Sequence, residues 1–587
     1  MSANFRTLVE LWEKSTELHG RRELFGTKAD GAWHWITYSQ FKTEVDALRA
    51  SLAALGVQSG DRVAMIAGNR VEWAAAAYAT FGLRATFVPM YEAQPLEDWS
   101  FILRDCEAKI VFGSTAQVLD KLATVAAELP KLEHVIGLDL PESDPRSYQH
   151  QLAIGRATPR AVDHPAPEHP ACFIYTSGTT GQPKGVVLSH WNIASNVIAS
   201  LEMFPIRPAD RSLAFLPWAH AFGQTTELHL LFAAGCALAL NDEVPNLVAN
   251  LAEVKPTILI AVPRIFNRIY DVVNKQMAER PKPIRTLFHA GIRAATKKKR
   301  GQSLTLGEGL ALAVADRLIF SKVRARFGGR LRFSVSGSAA LAREVAEFVD
   351  ALGISVFEGY GLTEASPVVS ANCPDFTRIG TVGKPLPRVR VEIDRVATGD
   401  AVNGEIIVYG DNGMLGYHHR EEEERQMLMP DGGLRTGDMG FLDEDGFLHI
   451  TGRIKEQYKL ENGKYVVPSP LEEALKLSPF ILNAMLYGLN RPFNVALVVI
   501  DEAAVTRWAQ NKKLDIKDAV RDPAVRDLIA KELEERSASF RGYEKPKAFQ
   551  LIAEDFTVEN GLLTPSLKVR RKLVLDRYLP SLVALYA

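Results

Sequence analysis

Cysteine is scarce. The 587 residues hold four, Cys106, Cys172, Cys236 and Cys373, set far apart and without a CxxC pair. That spacing argues against a zinc site or a disulfide framework and fits a reducing cytoplasm. Excess charge is missing too: the formal net charge is −1, so no global field draws the chain to nucleic acid or to membranes. The apolar runs Trp73 to Leu83, ended by Arg84, and Leu230 to Leu240 are too short to span a bilayer. Residues Met1 to Arg6 carry no basic segment followed by an apolar core, so no secretory signal is expected. A Walker A motif is lacking as well. Lys184 is followed by Gly185 where Ser or Thr is required, which disfavours a P-loop NTPase.

What is present is an ordinary globular composition, 47% apolar and 24% charged, in a chain too long for a single compact core. Val45, Leu48, Leu52 and Leu55 recur at helical spacing and Gly56 stands where such a helix would stop. Val63 to Ile66 reads as a buried strand, Asn69 as a helix cap, and Ile110 to Phe112 as the next strand. This is βαβ patterning, which implies an α/β fold with parallel sheet. Residues 141–170, rich in Pro, Asp and His, read as a surface connection. Further strand candidates at Leu213 to Leu216, Thr257 to Val262, Leu331 to Val335 and Ile354 to Phe357 each run into a motif, which is where open α/β sheets place ligands. Beyond Val389 short strands separated by turns predict a small β-rich subdomain. After Gly452-Arg453 a different unit is expected, with a helix near Ser469 to Leu477, strands Ala484 to Tyr487 and Val495 to Ile500, and a long charged helix from about Ala524 to Glu535.

The stretch richest in chemistry is Tyr175-Thr176-Ser177-Gly178-Thr179-Thr180-Gly181-Gln182-Pro183-Lys184-Gly185-Val186, after the apolar run Ala171 to Tyr175. Glycines let the main chain approach an anion, hydroxyls add donors and the lysine adds a point charge, so polyphosphate is its natural ligand. Taken by composition alone it could equally be a polar surface loop. Its full length resembles the phosphate-binding signature of the AMP-forming adenylate ligases, the superfamily of acyl-CoA synthetases, luciferases and nonribosomal adenylation domains. The resemblance runs from about Thr37 to Tyr578, with the motifs in the family's order.

The resemblance implies a large N-terminal domain, 1–454, built of βαβ subdomains plus the small β-rich subdomain, and a small mobile α+β C-terminal domain, 455–587. It also implies the site. Thr176, Ser177, Gly178, Thr179, Thr180 and Lys184 hold phosphate. Gly337, Ser338 and Ala339 lie along adenine, and Glu358, Gly359, Tyr360, Gly361 and Thr363 follow at the end of a strand. Thr363 donates to the α-phosphate and Glu364 holds magnesium, a hard cation that takes oxygen ligands and keeps waters. Asp438, in Arg435-Thr436-Gly437-Asp438, accepts from the ribose hydroxyls, and Arg453 is a second nucleotide contact. His220 lies between the acyl and adenylate pockets, and Lys568 is the mobile catalytic lysine. Lys455 occupies the hinge and Lys459 is a candidate contact in the second step. Read without the family, each is bland: a lone histidine after a strand, a helix cap at Thr363-Glu364, a basic tail around Lys568.

Val262-Pro263-Arg264-Ile265-Phe266-Asn267-Arg268-Ile269-Tyr270 and an added basic segment look like the long-chain fatty acyl-CoA synthetases. Between Lys282 and Arg332 thirteen basic residues face two acidic ones, Glu308 and Asp316. That segment is a solvated helical face or a patch for anionic headgroups or the phosphates of coenzyme A. The run Glu421 to Glu424 needs nothing beyond a solvated helix. The expectation is therefore a ligase of fatty acid, ATP, magnesium and coenzyme A. It is cytoplasmic, peripheral to the inner face of a membrane if the basic segment binds lipid, free of nucleic acid, and compatible with a homodimer. A fatty acyl-AMP ligase that loads a carrier protein and a luciferase-like oxygenase are the alternatives. The tryptophan gate of related long-chain enzymes would fall near Gln224, where this chain has none.

Overall fold

Val63 to Ile66 is apolar at every position because both of its faces are covered. In the computed structural model, which describes residues 4–177, 182–396, 402–558, 560–564 and 568–586, Val63 and Met65 enter one apolar core while Ala64 and Ile66 enter another. The period of two along a strand makes that division. The strand Arg62–Ile66 belongs to a seven-stranded sheet. Its order runs from Gly416–Tyr417 through Pro183–Ser189, Pro170–Ser177, Thr86–Met90, Arg62–Ile66 and Ile110–Gly113 to His134–Gly137. The five strands from Pro170–Ser177 onward are parallel and the first two antiparallel. The helix Val71–Phe81 is buried at every residue from Trp73 on, as a helix apolar all round must be.

The expected helix through Val45 and Leu52 is Tyr38–Ala54, opened by a capping box between Thr37 and Gln40 and followed by Gly56 at φ +84°. Asn69 is not a helix cap. Arg70 takes that position without a side-chain cap bond. Asn69 is engaged elsewhere: its Nδ2 donates to the Leu216 carbonyl at 2.7 Å and its Oδ1 accepts from the Trp218 amide at 2.9 Å. The connection at 141–170 also differs from expectation, since it contains the helix Tyr148–Ala157 with Tyr148, Gln151 and Leu152 buried. That helix packs by close approach at Gly155, where a Cβ would lie 1.7 Å from the Ala47 carbonyl oxygen. Apolar periodicity cannot reveal packing of that kind.

A second sheet sets Ile258–Ala261, Phe333–Ser336 and Val356–Gly361 side by side in parallel, then turns antiparallel through Val368–Ala371 and Lys384–Pro385. The expected β-rich subdomain is the antiparallel sheet Arg390–Asp394, Gly404–Tyr409, Leu434–Leu442 and Leu448–Arg453. Past it, Ile481–Tyr487, Asn494–Ile500 and Pro546–Ile552 form a three-stranded sheet. Its two apolar cores draw only on residues from Leu471 onward. Leu477 is the exception, buried in a core of the large body.

Candidate active site

The site forms where the parallel strands of the second sheet end. Val356–Gly361 delivers Glu358, Gly359, Tyr360 and Gly361, and a 3₁₀ turn at Thr363–Ala365 follows. Gly361 is required there, because a Cβ would fall 2.0 Å from the Pro367 carbonyl oxygen. The Glu358 carboxylate accepts from the Leu341 amide at 3.1 Å. Burial pushes its pKa up to about 7, against the amides of Leu341 and Gly380 that favour the charged form. Glu358 thus ties down the far end of the Ser336–Ala340 loop.

In the β-rich subdomain Asp438 and Arg453 stand directly opposite each other on neighbouring strands. Arg453 Nε lies 3.0 Å from Asp438 Oδ1, and the Tyr360 hydroxyl donates to Oδ2 at 2.7 Å. Each carboxylate oxygen retains a second lone pair, so Asp438 can still accept from a diol. The Tyr417 hydroxyl donates to Glu364 Oε1 at 2.7 Å. Gly337 lies so close to Phe222 that a Cβ would meet its ring at 2.7 Å, which brings the Gly337-Ser338-Ala339 loop against the segment of His220. Ser338 sits at φ +69° and is exposed with Ala339. His220 Nδ1 accepts from the Phe222 amide at 3.2 Å, leaving Nε2 as the donor. Burial, helped by the charge of Lys568, lowers the His220 pKa to about 4, so the ring is neutral near pH 7.

Lys568 reaches this place from the C-terminal unit. A bridge between Leu563 and Val569 closes its loop, and the Lys568 amide donates to Thr564 Oγ1 at 3.1 Å. Its side chain keeps contact with the water of the cleft while protein encloses it. Desolvation and Arg453 lower its pKa, and Asp438, Glu364 and Glu456 oppose that. No described carboxylate pairs with Lys568 at ion-pair distance, which leaves the ammonium for a ligand.

A model of the AMP-binding enzymes matches residues 12–418. The chain belongs to the AMP-binding enzyme family. It is 34% identical to a long-chain-fatty-acid–CoA ligase of Mycobacterium bovis over 95% of this chain and 93% of the other. A peroxisomal long-chain acyl-CoA synthetase of Arabidopsis thaliana is 32% identical, with 100% and 86% covered. Among solved structures, the adenylation domain of a carboxylate reductase from Mycobacterium chelonae superposes with a TM-score of 0.81 at 23% identity, covering 100% of this chain and 92% of that one.

In this AMP-binding enzyme the hairpin expected to hold phosphate pairs Thr176 with Lys184 across Pro170–Ser177 and Pro183–Ser189. Gly178, Thr179, Thr180 and the side chain of Ser177 lie outside the described residues. Lys184 Nζ is 3.4 Å from Glu423 Oε1, and Glu424 Oε2 accepts from the Tyr417 amide at 3.1 Å. The acidic run at Glu421 to Glu424 is therefore more than a solvated face. Tyr417 and Glu423 escaped the sequence reading because nothing local marks them. Glu227 escaped it too: fully buried in a π-helical turn, it accepts from the Trp218 indole at 3.2 Å and, with Asn69, holds the loop that carries His220. Gln224, at the expected gate position, is buried in the same turn.

Lys459 is not brought to the cleft by a side-chain bond; its ammonium rests 5.5 Å over the Tyr465 ring. Lys455 is exposed in the turn Ile454–Glu456. No cluster of three or more His, Cys, Asp or Glu able to hold a metal occurs among the described residues. Glu364 has one carboxylate oxygen bonded to Tyr417, and its Oε2 has no hydrogen-bond partner among the described residues. A single protein oxygen suits magnesium, which takes its remaining ligands from phosphate and water. No described helix is long and apolar enough to cross a membrane. The four cysteines are free and buried.

Proposed function

We propose that this chain is a long-chain fatty acid–CoA ligase, converting fatty acid, ATP and coenzyme A to acyl-CoA, AMP and diphosphate. The observation that carries the reading is Lys568, set among Asp438, Arg453, Glu364 and His220 without an ion-pair partner among the described residues. Supporting it are the relatives at 34% and 32% identity, both named for long-chain acyl activation.

A carboxylate is a poor acyl donor because its leaving group would be oxide. In the first step a carboxylate oxygen attacks the α-phosphorus, the bond to the bridging oxygen breaks, and diphosphate departs. Lys568 neutralises the two anions that must meet, and Thr363 donates to the α-phosphate oxygen. Asp438 orients the ribose, Gly337 to Ala339 flank adenine, and Lys184 with the hairpin hydroxyls holds the departing phosphates. Magnesium, held by Glu364, would supply further charge neutralisation there. Neutral His220 can donate from Nε2 without adding positive charge to the acyl side. In the second step the thiol sulfur of coenzyme A attacks the acyl carbon, the bond to AMP breaks, and the thiol proton leaves to solvent.

Both steps use one cleft, so Lys568 must withdraw to admit the thiol. We place the boundary at 454/455, with Lys455 as hinge and Lys459 available after rotation. The basic segment is the candidate for contact with an anionic membrane. Five of its thirteen basic residues, Lys297, Lys299, Arg300, Arg324 and Arg332, are paired with carboxylates. The exposed Leu306 and Leu310 lie among the others.

The test is AMP release with acids of increasing length. Coenzyme-A-dependent turnover to AMP and diphosphate, best with long chains, is expected, with the enzyme stalling at bound adenylate when the thiol is withheld. Formation of ADP and orthophosphate would sink the proposal.

A further inference from the structure

Lys568 can act only if the unit that carries it is held in register, and its own loop supplies little of that hold. A second contact lies far from the cleft. Arg536, the last residue of the helix Pro523–Arg536, reaches the large body with Nη1 3.9 Å from Glu344 Oε2. Glu344 lies in the first turn of Arg343–Ala351 and accepts from the Tyr270 hydroxyl. Tyr270 and Asp271, on the helix Pro263–Ala278, both feel the Arg536 charge, which opposes the upward push of burial on their pKa values. The guanidinium side chain is only 23% exposed, and its Nε lies 3.8 Å from Glu532 Oε2, one turn back on the same helix.

Beside this ion pair sits an apolar pin. Leu477, 6% exposed, leaves the cores of its own unit and joins the cluster of Phe266, Val273, Val345 and Phe348, which lie on the same two helices that carry Asp271 and Glu344. Arg570 also acts electrostatically between the units, favouring the charged form of Asp98 against its burial. Contacts at such separated points fix an orientation, whereas one point leaves rotation free.

We propose that Leu477 and Arg536 form a latch that holds the C-terminal unit in the arrangement needed for adenylation, making Arg536 a positioning residue that acts through Lys568. The inference rests on the two-step reading above. The latch has a strength suited to release. A long, partly hydrated ion pair is worth little alone, and one leucine adds directional burial without welding the units together. Nothing in the latch touches the nucleotide residues, so its loss spares the second step, for which it must open anyway.

The experiment uses the full chain and reads the half-reactions separately: fatty-acid-dependent exchange of pyrophosphate into ATP, and transfer from supplied acyl-adenylate to coenzyme A. Arg536→Ala and Leu477→Ala should each lower exchange about tenfold in kcat with little change in KM for ATP, while transfer stays the same or rises. Arg536→Lys should recover part of the exchange, and Arg536→Glu combined with Glu344→Arg should recover more than either reversal alone. Wild-type exchange in Arg536→Ala, equal loss of both half-reactions, or no recovery by the paired reversal would each overturn the latch. Absence of exchange in the wild-type chain would instead overturn the two-step reading, and the latch with it.

Discussion

Asp438 and Lys568 occupy the same cleft, but one is wired into the fold and the other is delivered to it. Asp438 is 6% exposed, with a cross-strand arginine on one oxygen and a half-buried tyrosine on the other. Its amide is bonded to Thr436 Oγ1. Lys568 has its loop closed by the Leu563–Val569 bridge and by two bonds exchanged with Thr564, with no ion pair at its ammonium among the described residues. The difference teaches how a single cleft can serve two reactions. On the proposed reading, groups that bind nucleotide are fixed in advance, while the group needed in one step alone rides on a separable unit.

The comparison is broken most severely at Lys568. Lys568→Ala should reduce adenylation by about 10²- to 10³-fold, the scale for removing a charge-stabilising donor, yet leave transfer from supplied acyl-adenylate intact. Equal loss in both assays would mean that the lysine is as fixed as Asp438. Next comes Asp438→Asn. It keeps an acceptor for Arg453 or Tyr360 but loses the charge proposed to hold a diol, so kcat/KM should fall by roughly tenfold in both half-reactions, for ATP in the first and for acyl-adenylate in the second. A loss confined to the first half-reaction would erase the distinction between the two residues.

The smallest effect is on stability and concerns another wired carboxylate. Glu358 has its folded pKa raised from 4.5 to about 7, so the folded state binds more protons in that interval than the unfolded chain. Its contribution is fully present below pH 4.5 and is lost as pH rises through about 7. Glu358→Gln should flatten the wild-type decline across that window by on the order of 3 kcal/mol, read from urea melts at several pH values. Parallel curves for the two proteins would show that Glu358 is not tuned by its burial.

Much of the fold was legible because its signals are local. The apolar runs at Val63 and Val495 and the helical spacing at Val45 depend on neighbours one to four residues away, and the structure matches them within a few residues. Misreadings arose where a side chain answers to something distant. Asn69 looks like a cap but serves a loop at Leu216 to Trp218, and Glu423 looks solvated but faces Lys184. The surplus of the basic segment shrinks for the same reason, since Asp210, Glu347 and Asp350 lie outside it in sequence and against it in space.

By itself the sequence determined the kinds of element and the family that its motifs mark, because propensity, periodicity and motif spacing act over a few residues. Tertiary structure alone decided that Arg453 faces Asp438, that Tyr417 faces Glu364, and that Lys568 enters a cleft whose walls were laid down hundreds of residues earlier. Such pairings follow from strand register and from the burial that docks one unit on another. Both are settled by the whole folded chain, and no local stretch encodes either.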